Sequence, residues 1–357
     1  MKPPERAGYF LPVTDPDQTR RELRRLLVPG PIDDHDLERR IARLDGRFRV
    51  YAATVPFGLW GAGLAITAEI RSRTDLLLPL EEVRRAFRRL LRLSLSTASS
   101  LDGTPLGTAA SWPDCLARLD PPFREPNPAR LLARLAAEGE LRTRFLFSLF
   151  VPRRHGADPD RYPAQGDFLR QWLQTEGRRR GKPLRCLDAA CGAGEGTLGL
   201  ARVLLEAGFT PDGFSIVGAS RNPLEIFAAV HGFFPHDPAR QEAFHLLREE
   251  LRAAGTVERL HFTTEDLTEK ARDPETFDVI LCNGVLGGPF LPGGEKLERA
   301  VATLAQRLAA GGIILAADRF HGGWKRVAPS GMLGEILASQ GLSVTVAGEG
   351  IAGIRGG

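Results

Sequence analysis

The residues whose types and spacing could do chemistry gather in one stretch, Pro183 to Gly199, reading PLRCLDAACGAGEGTLG. Leu184, Cys186 and Leu187 form an apolar run that ends on the carboxylate of Asp188, and Gly192, Gly194 and Gly196 follow. Glycines at that density let the backbone turn sharply and let a ligand reach main-chain N–H groups with no Cβ in the way. Leu198, Leu200, Ala201, Leu204 and Leu205 then recur at helical spacing, so the turn feeds a helix N-terminus. Strand, glycine turn and helix in that order mark the nucleotide end of a doubly wound sheet.

Further candidates stand at strand ends. Phe214–Ala219 reads as a second strand followed by Ser220, Leu260–Phe262 as a third closed by Glu265 and Asp266, and Phe277–Cys282 as a fourth running into Asn283 and Gly284. Leu297–Leu308 is a helix capped by Ala310–Gly312, Ile313–Ala317 is a fifth strand, and Ser343–Ala347 with Ile351–Ile354 reads as a closing hairpin. Helices at Leu224–His231, His245–Arg252 and Met332–Ser339 complete the alternation. Asp188, Ser220, Asp266 and Asn283 would then line one sheet edge, where a nucleoside-like ligand binds in such folds. Structural uses compete: Asp188 and Asp266 suit helix caps and turns, and Glu195 can complement a helix dipole. Tyr162, just ahead of the first strand, either packs beneath a helix or meets a ligand from a lid. The histidines at 231, 236, 245, 261 and 321 share no spacing, and no metal site is expected.

The first half of the chain reads as helices at Asp17–Leu27, Asp34–Leu44 and Leu80–Leu93, with strands at Arg47–Thr54 and Ala62–Ser72 between them. Leu64, Ile66, Ala68 and Ile70 alternate with Ala65, Thr67, Glu69 and Arg71, which supports the second strand and argues against a membrane span from Val50 to Ala68. A turn-rich connector, Ser99–Pro128, follows, and Asn127 with Pro128 opens a helix over Pro128–Ala137. Three parts are expected: an α+β unit over 1–126, a helical lid or linker over 127–180, and a Rossmann-like α/β domain over 181–357.

A chain of 357 residues with 43% hydrophobic residues can bury at least one full core. Residues 1–180 carry a net charge of about +8 and the remainder about −4. The helix Leu80–Leu93 concentrates the excess, with Arg84, Arg85, Arg88, Arg89 and Arg92 around an apolar face, and reads as a solvated helix or as a docking face for an acidic protein partner. No aromatics interleave these arginines, so a nucleic-acid partner is not expected. The four cysteines lack paired metal spacing, and no basic-then-apolar leader precedes the charged start of the chain. A reduced, cytoplasmic protein away from the membrane is expected.

Residues 183–320 resemble the class I S-adenosylmethionine-dependent methyltransferases, most specifically the chemotaxis receptor methyltransferase (CheR) family. AACGAGEG is similar to that family's first motif, FDVILCNGV to its strand of type FD-x-I-x-C-R-N-V, and LAAGGIILA to the helix-to-strand turn of many methyltransferases. The resemblance implies a mostly parallel sheet with an antiparallel closing hairpin, S-adenosyl-L-methionine as cofactor, and cofactor contacts from Tyr162, Asp188, Ala190, Gly192, Gly194, Glu195, Ser220, Asp266, Leu267, Asn283 and Gly284. Asp188 and Asn283 would orient the methionine amino group, Ser220 would meet the ribose, and Asp266 the adenine amine. It also implies methyl transfer to a carboxylate of a protein acceptor, which requires no general base, and no catalytic side chain is identified.

The chain departs from the family's pattern in three places. Ser220 stands where Asp or Glu usually holds the ribose, no Tyr follows Asn283-Gly284 closely, and Thr143–Phe147 echoes Thr-x-Phe-Phe-Arg without its last residue. Two other readings use the same residues. Gly194 to Gly199 is literally G-x-G-x-x-G, with Arg221 placed to meet a 2′-phosphate, as in an NADP-binding oxidoreductase. A methyltransferase-like binding module without catalysis is the other.

Overall fold

Leu37, Leu44 and Tyr51 lie seven residues apart, two helical turns each, and all three are buried on one long helix. That period governs the chain from Asp15 to Pro152, which forms a compact unit of helices. The computed structural model describes residues 8–54, 67–97, 100–152, 158–177, 181–269, 275–288, 290–318 and 330–357. The helical unit comprises α1 (Pro16–Leu26), α2 (His35–Thr54), α3 (Ala68–Leu77), α4 (Leu80–Ser94), the short α5 (Pro105–Thr108) and α6 (Trp112–Arg118), α7 (Pro128–Ala137) and α8 (Gly139–Phe150).

Among the described residues the two expected strands do not form, and those of this unit fall in helices rather than in an α+β arrangement. Arg47–Thr54 is the last part of α2, while Thr67 caps α3 by accepting the Ile70 N–H at 3.2 Å. Residues 62–66 of the second expected strand lie outside the described residues. The period-2 alternation was too short to compete with a capped helix and the seven-residue stripe of α2. The expected break at 126/127 is also absent: α7 and α8 pack with α2 and α4 in this unit, and the segment expected as a lid over 127–180 is split between the two units.

The arginines of α4 are largely tied within the unit. Arg84 donates to the carbonyls of Leu106 at 2.8 Å, Gly107 at 2.9 Å and Ala109 at 2.7 Å, closing the C-terminus of α5. Arg89 bonds Asp34 and holds its carboxyl down at about 2. Arg88 pairs with Glu81 at 2.7 Å, while Arg85 is exposed. Deeper in the unit, Arg142 is 1% exposed and donates to the carbonyls of Leu135 at 2.8 Å, Ala136 at 3.2 Å, Val28 at 2.9 Å and Gly30.

The second unit joins residues 1–14 to 153–357 and is organised by a seven-stranded sheet. Its elements are α9 (Pro163–Trp172), β1 (Leu184–Asp188), α10 (Glu195–Glu206), β2 (Phe214–Ser220), α11 (Pro223–His231), α12 (Pro238–Ala253), β3 (Leu260–Thr264), β4 (Phe277–Leu281), α13 (Gly294–Gln306), β5 (Leu308–Ala316), α14 (Ser330–Ser339), β6 (Leu342–Ala347) and β7 (Gly350–Arg355). The order across the sheet is β3-β2-β1-β4-β5-β7-β6, with β7 antiparallel to β5 and β6 and the other pairs parallel. This is the Rossmann-like α/β arrangement with a closing hairpin that the sequence predicts. The chain leaves β1 toward β2 and returns on its other side as β4, and at such a switch point the diverging loops open a crevice for ligands.

Alternation along β1 assigns the faces. Leu187 packs with Ile280 and Ile314 against Leu297, Val301 and Leu304 of α13 and Leu333 and Leu337 of α14. Asp188 points the other way, toward α10. With helices on both faces, the parallel strands are apolar along most of their length. The helix cap expected at Ala310–Gly312 is instead part of β5: the strand begins at Leu308, and a register shift opposite Phe277 and Val279 absorbs the two glycines. Residues 8–14 cover the open edge of β3, where Phe10 and Phe262 exchange backbone bonds of 2.7 and 2.8 Å.

Replacing Arg142 with Met should destabilise the helical unit by about 1–3 kcal/mol, because the buried Leu135 carbonyl loses this donor and the Val28 and Gly30 carbonyls lose theirs. Urea unfolding measures this, and an unchanged midpoint would show that water or neighbouring donors replace the guanidinium.

Candidate functional site

Asp188 ends β1 beneath the glycine turn and is 5% exposed. Thr197, on the first turn of α10, donates its hydroxyl to the carboxylate at 2.8 Å, and the Ala190 N–H also bonds it. Burial pushes the carboxyl up to about 6, and these two bonds act against that rise. The turn requires glycine twice over. Gly194 sits at φ +95°, where a Cβ would also lie 2.8 Å from that of Ala229, and Gly192 sits at φ +53°. A Cβ on Gly196 would crowd the Asp188 carboxylate at 3.2 Å. The Cys191 N–H donates to Ala219 O at 2.9 Å, fastening the turn to the end of β2.

Glu195 opens α10, but its carboxylate lies 2.6 Å from the Arg240 Nε, with both residues buried. Arg240 also covers the Phe234 ring at 4.4 Å. The structure thus engages Glu195 in an ion pair that ties α10 to α12.

At the end of β2, Ser220 donates to Glu225 on the first turn of α11 and accepts the Asn222 N–H at 3.2 Å. Asn222 caps α11 through the Leu224 N–H at 3.0 Å. Glu225 was not read from the sequence, although Asn222-Pro223-Leu224-Glu225 has capping-box spacing and could have pointed to it. Sheet pairing continues past β3, with the Glu265 N–H donating to Ser220 O at 3.0 Å, which sets Asp266 near Ser220. Asp266 accepts from the Thr268 N–H at 2.9 Å and hydroxyl at 2.7 Å, and Arg221 lies 3.8 Å from its other oxygen. Burial works against the Asp266 charge, yet the Thr268 bonds, Arg221 and Lys296 together hold its carboxyl below the ordinary value. Leu267 is buried beside it.

Beyond β4, Asn283 forms a reciprocal amide pair with Gln165: its Nδ2 donates at 2.7 Å and its Oδ1 accepts at 3.2 Å. Gln165 is 4% exposed and belongs to the first turn of α9. Tyr162 occupies the N-cap position of that helix and is buried, with Arg161 over its ring at 5.1 Å. The cap itself comes from Glu349 in the β6–β7 turn, which accepts the N–H groups of Ala164 at 3.2 Å and Gln165 at 2.9 Å. Gly284, at φ +78°, donates its N–H to Ala317 O at 2.7 Å. Next to it Asp318 is 2% exposed, and a Cβ on Gly288 would fall 2.1 Å from its carboxylate. Neither Gln165 nor Asp318 was singled out from the sequence, since both need the sheet's tertiary pairing to be seen. Among the described residues no group of three His, Cys, Asp or Glu could hold a metal ion.

The edge of the sheet therefore brings together Asp188, Ala190, Gly192, Gly194, Ser220, Asp266, Asn283 and Gly284, and adds Glu225 and Gln165. It can hold a ligand bearing cationic and hydroxyl groups.

No protein-family model matches the chain, and no curated protein matches it. Solved structures with a similar course include the [4+2]-cyclase SpnF (TM-score 0.33, 19% identity, 50% of this chain and 59% of that one). A TehB-like SAM-dependent methyltransferase from Corynebacterium glutamicum gives TM-score 0.33 at 17% identity, covering 54% of this chain and 85% of that one. Magnesium protoporphyrin IX methyltransferase from Synechocystis, with bound SAM, gives 0.36 at 18% identity, covering 53% and 77%. The chain spans about three fifths of the length of SpnF.

Asp188 titrates near 6 in the folded protein against 3.8 ordinarily, so the native state holds more protons than the unfolded state between those values. Its contribution to stability is accordingly lost as pH rises through that window, by about 3 kcal/mol in all. Asp188→Asn should unfold at a higher urea concentration than the wild type at pH 7.5, with the difference closing by about pH 4. A variant weaker at every pH would show that the carboxylate is a structural requirement of the turn.

Proposed function

We propose that the chain is a methyltransferase that uses S-adenosyl-L-methionine, bound across the carboxyl edge of the sheet where β1 and β4 diverge. The observation that carries this reading is the charge at that edge. Asp188, Glu225 and Asp266 stand at three adjacent strand ends, while Arg221 faces Asp266 and Arg240 faces Glu195. A sulfonium nucleoside with an ammonium group is favoured by such carboxylates, whereas the pyrophosphate of a dinucleotide is repelled. The Asp266 carboxylate, 3.8 Å from Arg221, also disfavours the 2′-phosphate that the NADP reading would place there.

The residues fit the cofactor. Gly192, where a Cβ would meet nothing within 4 Å, would leave room beside the N-terminus of α10 for a carboxylate, and Asp188 with Asn283 would face the ammonium of the same amino-acid moiety. Asp266 would receive the adenine amine, with Leu267 against the ring. When bound, the cofactor supplies an electrophilic methyl group on a cationic sulfur. The chain's own part is to bind, to align the acceptor with the sulfur–methyl bond, and to exclude water.

For the acceptor we infer a carboxylate of an acidic protein, the kind of substrate the CheR resemblance suggests. Such a group is ionised at neutral pH and asks for no base. The basic excess of residues 1–180 and the exposed Arg85 and Arg92 on α4 support an acidic partner. Arg84 is excluded from that role by its bonds to α5.

Calorimetry with S-adenosylhomocysteine should show saturable binding to the purified chain, and NADPH should give none. Binding of NADPH alone would overturn the methyltransferase reading. Reversing Arg85, Arg88 and Arg92 to Glu should cut methyl transfer to a glutamate-rich protein substrate by about tenfold at low salt and leave S-adenosylhomocysteine affinity unchanged. Equal transfer by the variant and the wild type would remove α4 from acceptor recognition.

A further inference from the structure

The first turn of α9 owes its form to a residue 185 positions away. Pro163 has no N–H and the Gly166 N–H donates to Tyr162 O, so Ala164 and Gln165 hold the N–H groups that a helix start cannot satisfy from within. Tyr162, at the N-cap position, makes no side-chain cap bond, and the Glu349 carboxylate in the β6–β7 turn accepts both N–H groups, at 3.2 and 2.9 Å. The Gln165 side chain, 4% exposed, is then aimed at Asn283, with which it forms the reciprocal amide pair of 2.7 and 3.2 Å. We propose that Glu349 and Gln165 are positioning residues for the amino-acid end of the cofactor: Glu349 fixes the Gln165 amide, and Gln165 fixes the Asn283 amide in the orientation that meets the ammonium. This assignment rests on the methyltransferase reading given above.

The backbone on either side of Asn283 is held by the sheet, with the Cys282 N–H on Leu315 O at 2.9 Å and the Gly284 N–H on Ala317 O at 2.7 Å. The freedom left at this position is rotation of the side-chain amide, and the pair with Gln165 removes it. A primary amide carries two donor hydrogens and two acceptor lone pairs. The pair uses one of each, so Asn283 keeps one lone pair for an ammonium and one N–H for a carboxylate, the two charged groups of an amino acid. A freely turning amide would as readily aim its NH2 group at the ammonium and lose the bond. Packing does not call for an amide at position 165, since an apolar side chain buries there without the cost of desolvating a polar group. The turn that carries Glu349 is itself closely docked: Gly348 sits at φ +59°, and a Cβ on it would overlap the backbone of Ala164 and Gln165. A Cβ on Gly350 would likewise overlap Ala316 O, so the same turn is pressed against the end of β5. The closing hairpin thereby sets the first turn of α9 against the carboxyl ends of β4 and β5.

The test is calorimetry on the full chain with two probes, S-adenosylhomocysteine and 5′-methylthioadenosine, which share the nucleoside thioether and differ in the amino-acid group. The wild type should prefer the first by about tenfold or more. Gln165→Leu and Glu349→Ala should each weaken S-adenosylhomocysteine by about tenfold and leave 5′-methylthioadenosine within about twofold of the wild type. Because the two residues act in series, the double variant should bind no more weakly than Gln165→Leu alone. Glu349→Gln keeps one acceptor for the helix and should lose about threefold, again for S-adenosylhomocysteine alone, so it decides the matter if Glu349→Ala does not fold. Equal affinity of the wild type for the two probes, equal losses of both probes in the variants, unchanged binding of S-adenosylhomocysteine, or additive losses in the double variant would each make Glu349 a helix cap and no more, and overturn the assignment while the cofactor reading stands. A wild type that binds neither probe removes the methyltransferase reading and this assignment with it.

Discussion

A carboxylate buried at the end of a central strand is costly unless its surroundings answer it, and the carboxyl edge of this sheet is arranged around that cost at Asp188. Thr197 and the Ala190 N–H offset part of it, and the glycines let the turn close over the group without a Cβ against its oxygens. What remains unanswered is a negative charge whose carboxyl still titrates near 6, and a cationic ligand group would complete its surroundings.

Around this centre each strand end is fixed by a different local device. Ser220 draws Glu225 back toward β2, Thr268 folds the chain around Asp266, and Gln165 meets Asn283 through paired amides. Glu349 joins the last of these to the terminal hairpin by capping α9, and a Cβ on Gly348 would come within 2.3 Å of Ala164 and Gln165. The closing hairpin therefore does more than finish the sheet. It fixes the first turn of α9, and through Gln165 it fixes the side chain beyond β4.

Much of the sheet unit was legible because its signals are local and mutually consistent. Buried parallel strands read as apolar runs, and Gly192 and Gly194 mark a conformation that other residues reach at a cost. Asn127 and Pro128 likewise placed the start of α7 correctly. The helical unit was misread where a five- to eight-residue alternation was weighed without its context: the stripe Leu37, Leu44, Tyr51 runs through the supposed first strand, and Thr67 caps a helix inside the supposed second. At the carboxyl edge, Asp188, Asp266 and Asn283 could be placed because they end or closely follow strands. Gln165 and Glu225 could not, since each reaches the edge from a helix, and Glu195 is drawn into an ion pair with a residue 45 positions away.

The claim on which the account rests is that the Asp188 charge holds the ligand's ammonium group. Calorimetric titration of S-adenosylhomocysteine between pH 5 and 8 tests it most directly. Affinity should rise by up to about tenfold per unit below pH 6 and level off above it, and the rise should vanish in Asp188→Asn. Equal affinity across that range in the wild type would contradict the account.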